Sequence, residues 1–210
     1  MIKRIASMLA VGLLATACGG GEQPEEWRTT AAQQCDDTLS PDGARALQRV
    51  LGTAKFVHDP RGGLDRVVQQ LTEDHAEGWR RTPSRAMCNV QVPGNQDRID
   101  ISFGRYRDNE LFGDTQAINL HPYVMGKEAQ SGPKAAYLFV ECSSPQLKGS
   151  EDEHARIIGM LRFNRSKLPD TPAVREANLT ILHSVTLAVV KKLGCRNNAG
   201  LLDRPVLTPK

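Results

Sequence analysis

The chain has little aromatic surface: Phe, Trp and Tyr make up 5% of its 210 residues. Its basic residues are scattered, with no stripe interleaved with aromatics, so nucleic acid is not expected as a partner. It has no Cys-x-x-Cys, which excludes a zinc ribbon and a thioredoxin-like redox site. None of the five histidines (His58, His75, His121, His154 and His183) stands three or four residues from another, so no helical metal pair can form. Gly149-Ser150 lies in a polar stretch without the second glycine of a nucleophile elbow. Gly62-Gly63 lacks the Lys and Ser/Thr of a phosphate-cradling loop. The acidic runs Glu73-Asp74-His75 and Glu151-Asp152-Glu153-His154 read as solvated surface, because a calcium loop needs a defined turn as well as carboxylates. His183 falls inside a helical pattern beside its apolar face and reads as a packed histidine. No catalytic residue, metal site or cofactor is therefore expected. A triad that assembles only in space would leave no trace in sequence order.

What is present begins with an address. Lys3 and Arg4 precede an apolar stretch, residues 5–17, which is shorter than the roughly 20 residues needed to span a bilayer. A basic start, a short apolar run and small residues at its end read as an export signal. The motif Leu13-Leu14-Ala15-Thr16-Ala17-Cys18 resembles a bacterial lipoprotein signal peptide. The resemblance implies cleavage before Cys18 and a diacylglyceryl group on its sulfur. The sequence departs from that pattern at Ala15, where Leu is favoured, and Ala15-Thr16-Ala17 also suits an ordinary secretory cut. Loss of residues 1–17 removes Lys3 and Arg4 and no acid, so a formal charge of +3 falls to about +1. Residues 18–30, opening with Gly19-Gly20-Gly21 and rich in Glu and Gln, read as a tether. Trp27, near its end, is expected to dock on the domain that follows.

With Cys18 assigned to the anchor, Cys35, Cys88, Cys142 and Cys195 remain. An even number in an exported chain points to two disulfides formed in an oxidising compartment. Four cysteines allow three pairings, and the residues alone do not choose among them.

Residues 31–210 fit one domain. Ser40 and Pro41 open a helix that Gly52 stops. A short strand is expected over 54–58. Leu64, Val67, Val68 and Leu71 mark a second amphipathic helix, ending near Ala76. The period then changes to two. Alternation over 86–92 and 99–103 about Pro93-Gly94-Asn95 predicts an antiparallel pair. Residues 117–120 are expected as a further short strand, 121–133 as a loop, and 135–142 and 157–163 as strands. Thr171-Pro172 starts the longest helix, which runs to Leu193 and stops at Gly194. Its apolar face is too broad for a surface helix. Strands in the middle with helices at both ends predict an α+β domain: an antiparallel sheet covered by helices, with a long C-terminal helix.

Cys35, then Leu39-Ser40-Pro41, then Leu51-Gly52, then Cys88 on a strand, resembles the opening of actinobacterial surface lipoproteins of unknown function. The match covers about the first third of the domain; the aromatic that often follows the second cysteine is replaced, with Val90 two places on. The resemblance implies an envelope location without an established activity. It also implies the pairing Cys35–Cys88, and with it Cys142–Cys195. The expectation is a lipid-anchored extracytoplasmic binding module, held to the cell membrane by Cys18 and meeting an envelope ligand or protein. An envelope hydrolase is the alternative. An apolar groove with few titratable groups would favour binding, whereas converging His, Asp or Ser side chains would favour catalysis.

Overall fold

The structure, a computed structural model, describes residues 28–57, 59, 62–78, 83–113, 118–164 and 168–210. The export signal, Cys18, most of the tether, Trp27 and His58 lie outside the described residues.

Eight strands form one antiparallel sheet: β1 (Arg28–Thr30), β2 (Lys55–Val57), β3 (Arg85–Gln91), β4 (Arg98–Arg105), β5 (His121–Tyr123), β6 (Glu128–Ser131), β7 (Ala135–Cys142) and β8 (Ala155–Phe163). Their order across the sheet is β1-β2-β3-β4-β8-β7-β6-β5. Three helices, α1 (Pro41–Leu51), α2 (Leu64–Glu77) and α3 (Pro172–Lys192), complete the α+β domain. The helices form as their ends dictate. Ser40 caps α1 by accepting the Gly43 N–H at 3.1 Å, Pro41 starts it, and Gly52 ends it with φ +68°. Thr171 and Pro172 open α3 in the same way.

α3 is buried on nearly every side between 177 and 190. The sheet lies beneath it and α1 packs on top of it. Both approaches are close because glycines face the helix. A Cβ on Gly159 of β8 would stand 2.8 Å from the Thr186 hydroxyl, and one on Gly43 of α1 would stand 2.6 Å from that of Ser184. Ser40 and Ser184 join the two helices by a 2.6 Å hydroxyl contact.

Both disulfides pair as the lipoprotein resemblance implies. Cys35 is bridged to Cys88 and Cys142 to Cys195. The second bridge clamps the end of α3 onto β7, and Arg196 N–H to Ser143 O at 2.9 Å seals the join. Two such bridges mark an oxidising, extracytoplasmic environment. No helix among the described residues is long and apolar enough to cross a membrane.

Four expectations need correction. Residues 28–30 are not tether but β1, in register with β2 through Thr29 opposite Phe56. The stretch 121–133 is not a loop; it holds the hairpin of β5 and β6. These strands are three and four residues long, too short for alternation to show. Conversely, Ile118 and Asn119 form a turn and Leu120 belongs to no strand, Asn119 taking a left-handed φ of +64°. Finally, Asp74 is not solvated surface. It is 4% exposed and receives Arg85 Nε at 2.9 Å and Nη2 at 2.5 Å. Arg105, buried nearby, donates from Nη1 to the carbonyls of Asp74 and Gly78, closing the end of α2. Burial pushes the Arg105 pKa down, against the pull of Asp74.

The last residues of the chain protect the sheet edge. Val124 N–H donates to Thr208 O at 2.9 Å and Lys210 N–H to Pro122 O at 3.0 Å, so 208–210 cover β5. The segment leading there crosses His183 of α3, which is 2% exposed. Burial lowers the His183 pKa below its ordinary 6.5; a hydrogen bond with the Leu202 backbone and the charge of Asp203 oppose this only partly. The unfolded chain therefore binds the proton more readily than the folded one, so stability falls as pH drops from about 6.5 toward the lower folded value. Urea titrations from pH 7.5 to 5 should show this decline, and His183→Gln should flatten it. An unchanged slope in the variant would assign the decline to other groups.

Candidate functional site

Among the described residues, those with catalytic character are dispersed or already occupied. Ser150 is fully buried; its hydroxyl accepts the Ser144 N–H at 2.9 Å and donates to the Ser144 carbonyl at 3.0 Å, a loop staple. His75 Nε2 reaches the Lys148 carbonyl at 2.9 Å. His121 meets Asp170 at 3.2 Å, and Asp170 also pairs with Arg175 at 2.6 Å, which holds its carboxyl below the usual range. Residues 151–154 are exposed, as expected. Among the described residues no group of His, Cys, Asp and Glu side chains could hold a metal ion.

An acidic recess of about 160 Å³ lies beside the Cys35–Cys88 bridge, bordered by Asp36, Asp37 and Asp59. Cys35, Asp36 and Asp37 are all left-handed, with φ between +54° and +63°. That turn delivers the Asp36 carboxylate to the Leu64 N–H at 2.9 Å, where it caps α2. The recess thus has a structural use.

The sheet has a different site on its helix-free face. Residues alternate along β7: Ala136 and Leu138 are buried beneath α3, while Ala135 and Tyr137 point the other way. Across the ladder, Ala135 stands opposite Arg162 of β8 and Tyr137 opposite Met160. At one end this face is closed by the segment after β4. Tyr106 meets Phe139 edge-on at 5.0 Å, and Phe112 packs against Phe139 and Tyr137 at 6.0 and 5.6 Å. Glu128 fixes that segment by accepting the N–H groups of Phe112 and Gly113 at 3.0 and 3.1 Å. The cluster takes four of the chain's eight Phe and Tyr residues, which explains how Phe139 is buried on a face without helices. Burial raises the Tyr106 pKa above its ordinary value of 10.

At the other end the face remains open. Ile118, Asn119, Leu120, Pro133, Lys134, Ala135 and Tyr137 line a groove of about 370 Å³. That volume lies in the range of small-molecule sites. Its wall, residues 118–120, stands close because Gly132 has no side chain: a Cβ there would lie 1.9 Å from the Asn119 carbonyl oxygen. Gly132 is itself held by its carbonyl, which accepts from Asn178 Nδ2 of α3 at 2.9 Å. Ile118 is 91% exposed at the rim. Among the described residues, no carboxylate, histidine or serine lines the groove, and Lys134 is its one cation.

Nothing in the sequence singles out these groove residues. Ile118 and Leu120 read as a strand, Pro133 as loop and Ala135 and Tyr137 as ordinary strand positions. Nothing in their spacing announces that a turn will stand over a glycine. Compared with family models, with curated proteins and with solved structures, the chain matches none.

Proposed function

We propose that the chain is a lipid-anchored, extracytoplasmic binding module whose ligand seats in the groove between 118–120 and 133–137. The observation that carries this reading is the groove's lining: among the described residues, an apolar floor and wall with one cation and no carboxylate, histidine or serine. Such a site can desolvate and hold an apolar ligand, and among the described residues no carboxylate, histidine or serine stands there to build a hydrolytic triad. A neutral, environment-sensitive fluorophore such as N-phenylnaphthylamine is expected to bind with enhanced emission. Ala135→Arg, which fills the groove from an open-face position, should weaken it at least tenfold without moving the thermal midpoint. Equal binding by the variant would place the ligand elsewhere.

The anchoring reading rests on the signal-like leader and Cys18, and the two bridges agree with an exported chain. In it, Cys18 is the acylated N-terminus, and its two acyl chains suffice for stable attachment where one is marginal. Mass analysis of membrane-extracted protein should find a diacylglyceryl-modified Cys18. An unmodified Cys18 terminus in the culture medium would instead indicate a plain secretory cut.

A further inference from the structure

We infer that the groove selects an amphipathic anion, an alkyl chain ending in a carboxylate, with the chain along Ile118, Leu120, Pro133 and Tyr137 and the head at Lys134 and Arg162. This rests on the binding reading above and adds the chemistry of the ligand.

The charges around the groove are one-sided. Lys134 lines it directly. Arg162 is the cross-strand partner of Ala135, so its side chain leaves the sheet on the same face, beside the groove. Both cations are exposed. Among the described residues neither has an ion-pair partner, although eleven ion pairs are made elsewhere. The nearest acid across the ladder is Asp100, opposite Arg162 on β4. Its carboxylate is already engaged by Arg98 Nε at 3.2 Å and by the Asn89 side-chain amide. Two further described acids lie on this face: Glu128 is turned into the Phe112 and Gly113 N–H groups, and Glu141 of β7 pairs with Lys127 at 3.1 Å. Among the described residues, the apolar floor is therefore bordered by two cations without ion-pair partners, and the acids on this face are already engaged.

A neutral alkyl ligand would gain only from the floor. A cationic one would be repelled at the rim. An anionic one gains from both, and the rim charges raise its local concentration. Because both cations are exposed, the selectivity is moderate: about tenfold at low salt, within the range for two solvent-exposed pairs. It should shrink as salt shortens the screening length toward a few ångströms.

The test uses the full chain and three probes with one chain length: dodecanoate, dodecanol and dodecyltrimethylammonium, each below its aggregation concentration, titrated calorimetrically. Dodecanoate is expected to bind about tenfold more tightly than dodecanol, with the ammonium weakest. Lys134→Glu combined with Arg162→Glu should abolish or reverse that order. If all three bind alike, and Ala135→Arg still removes them, the charge inference is overturned and the groove reading stands. If none binds, the groove reading fails with it. Sedimentation with anionic vesicles that Ala135→Arg leaves intact would reassign the two cations to a membrane surface and overturn the inference.

Discussion

Replacing Cys142 and Cys195 together by alanine is expected to destabilise the domain by about 4 kcal/mol. The bridge joins positions 53 apart, and loop closure of that length removes roughly that much conformational freedom from the unfolded chain. A domain of this size has about 5–15 kcal/mol in total, so one bridge is a large fraction of it. The substitution also frees the end of α3, where Cys195 follows Gly194 and the Ser144 hydroxyl donates to the Leu193 carbonyl. Urea denaturation of the paired variant should show a midpoint lowered by well over 1 M. Reduction of both bridges in the wild-type chain should leave little or no folded protein at 37 °C. A loss below about 1 kcal/mol in the paired variant would mean that packing of α3 against β7 already holds the join without the bridge.

Arg85→Ala is the second large effect. The Asp74 carboxylate is buried on α2 and takes two hydrogen bonds from one guanidinium on β3. The same hydrogen bond is the main reason the Arg85 pKa lies above its ordinary value. Removing the arginine leaves a buried carboxylate without its counter-ion, a change that costs about 3–5 kcal/mol where both groups are buried. Arg85 retains some solvent access, so about 3 kcal/mol is expected. The cost belongs to the stranded charge rather than to the pair, and a second variant separates the two. Asp74→Leu with Arg85→Met should recover most of the loss, since an apolar pair of similar volume has no charge to desolvate. If the double variant is as unstable as the single one, Arg85 is contributing through packing instead.

The Asp74–Arg85 pair also shows what a sequence conceals. Glu73-Asp74-His75 is polar in sequence, and its position at the end of an amphipathic helix suggests solvent. Only the approach of β3 buries the middle residue. Local signals were legible where the physics is local. Ser40-Pro41 with Gly52, Leu64 with its apolar repeats, and Thr171-Pro172 each placed a helix within a residue or two of its observed bounds. Strands β3 and β4 showed as alternation, β7 as a run rich in Tyr, Leu, Phe and Val, and β8 as the strand that follows it. β1, β5 and β6 did not, because three or four residues carry no period and their stability comes from neighbours in the ladder. The left-handed turn at Cys35-Asp36-Asp37 was also hidden, although Asp tolerates that conformation better than most residues. The groove was illegible for a related reason. It is made by two loops and one strand meeting over Gly132, and that meeting depends on tertiary contacts, including the Asn178 amide of α3.

The two cystine bridges are consecutive rather than nested: one spans 35–88, the other 142–195, and neither encloses the chain between them. The groove-forming residues, 118–120 and 133–137, all lie in that uncrosslinked middle section. The β5–β6 hairpin beside them is at the margin of the sheet, held on its outer side, among the described residues, by the terminal residues 208–210. Cross-links therefore restrain both ends of the domain, and the centre of the sequence can open locally without straining either one. A ligand wider than the resting groove could be admitted by parting the 118–120 turn from β7, with α1, α2 and α3 left in place.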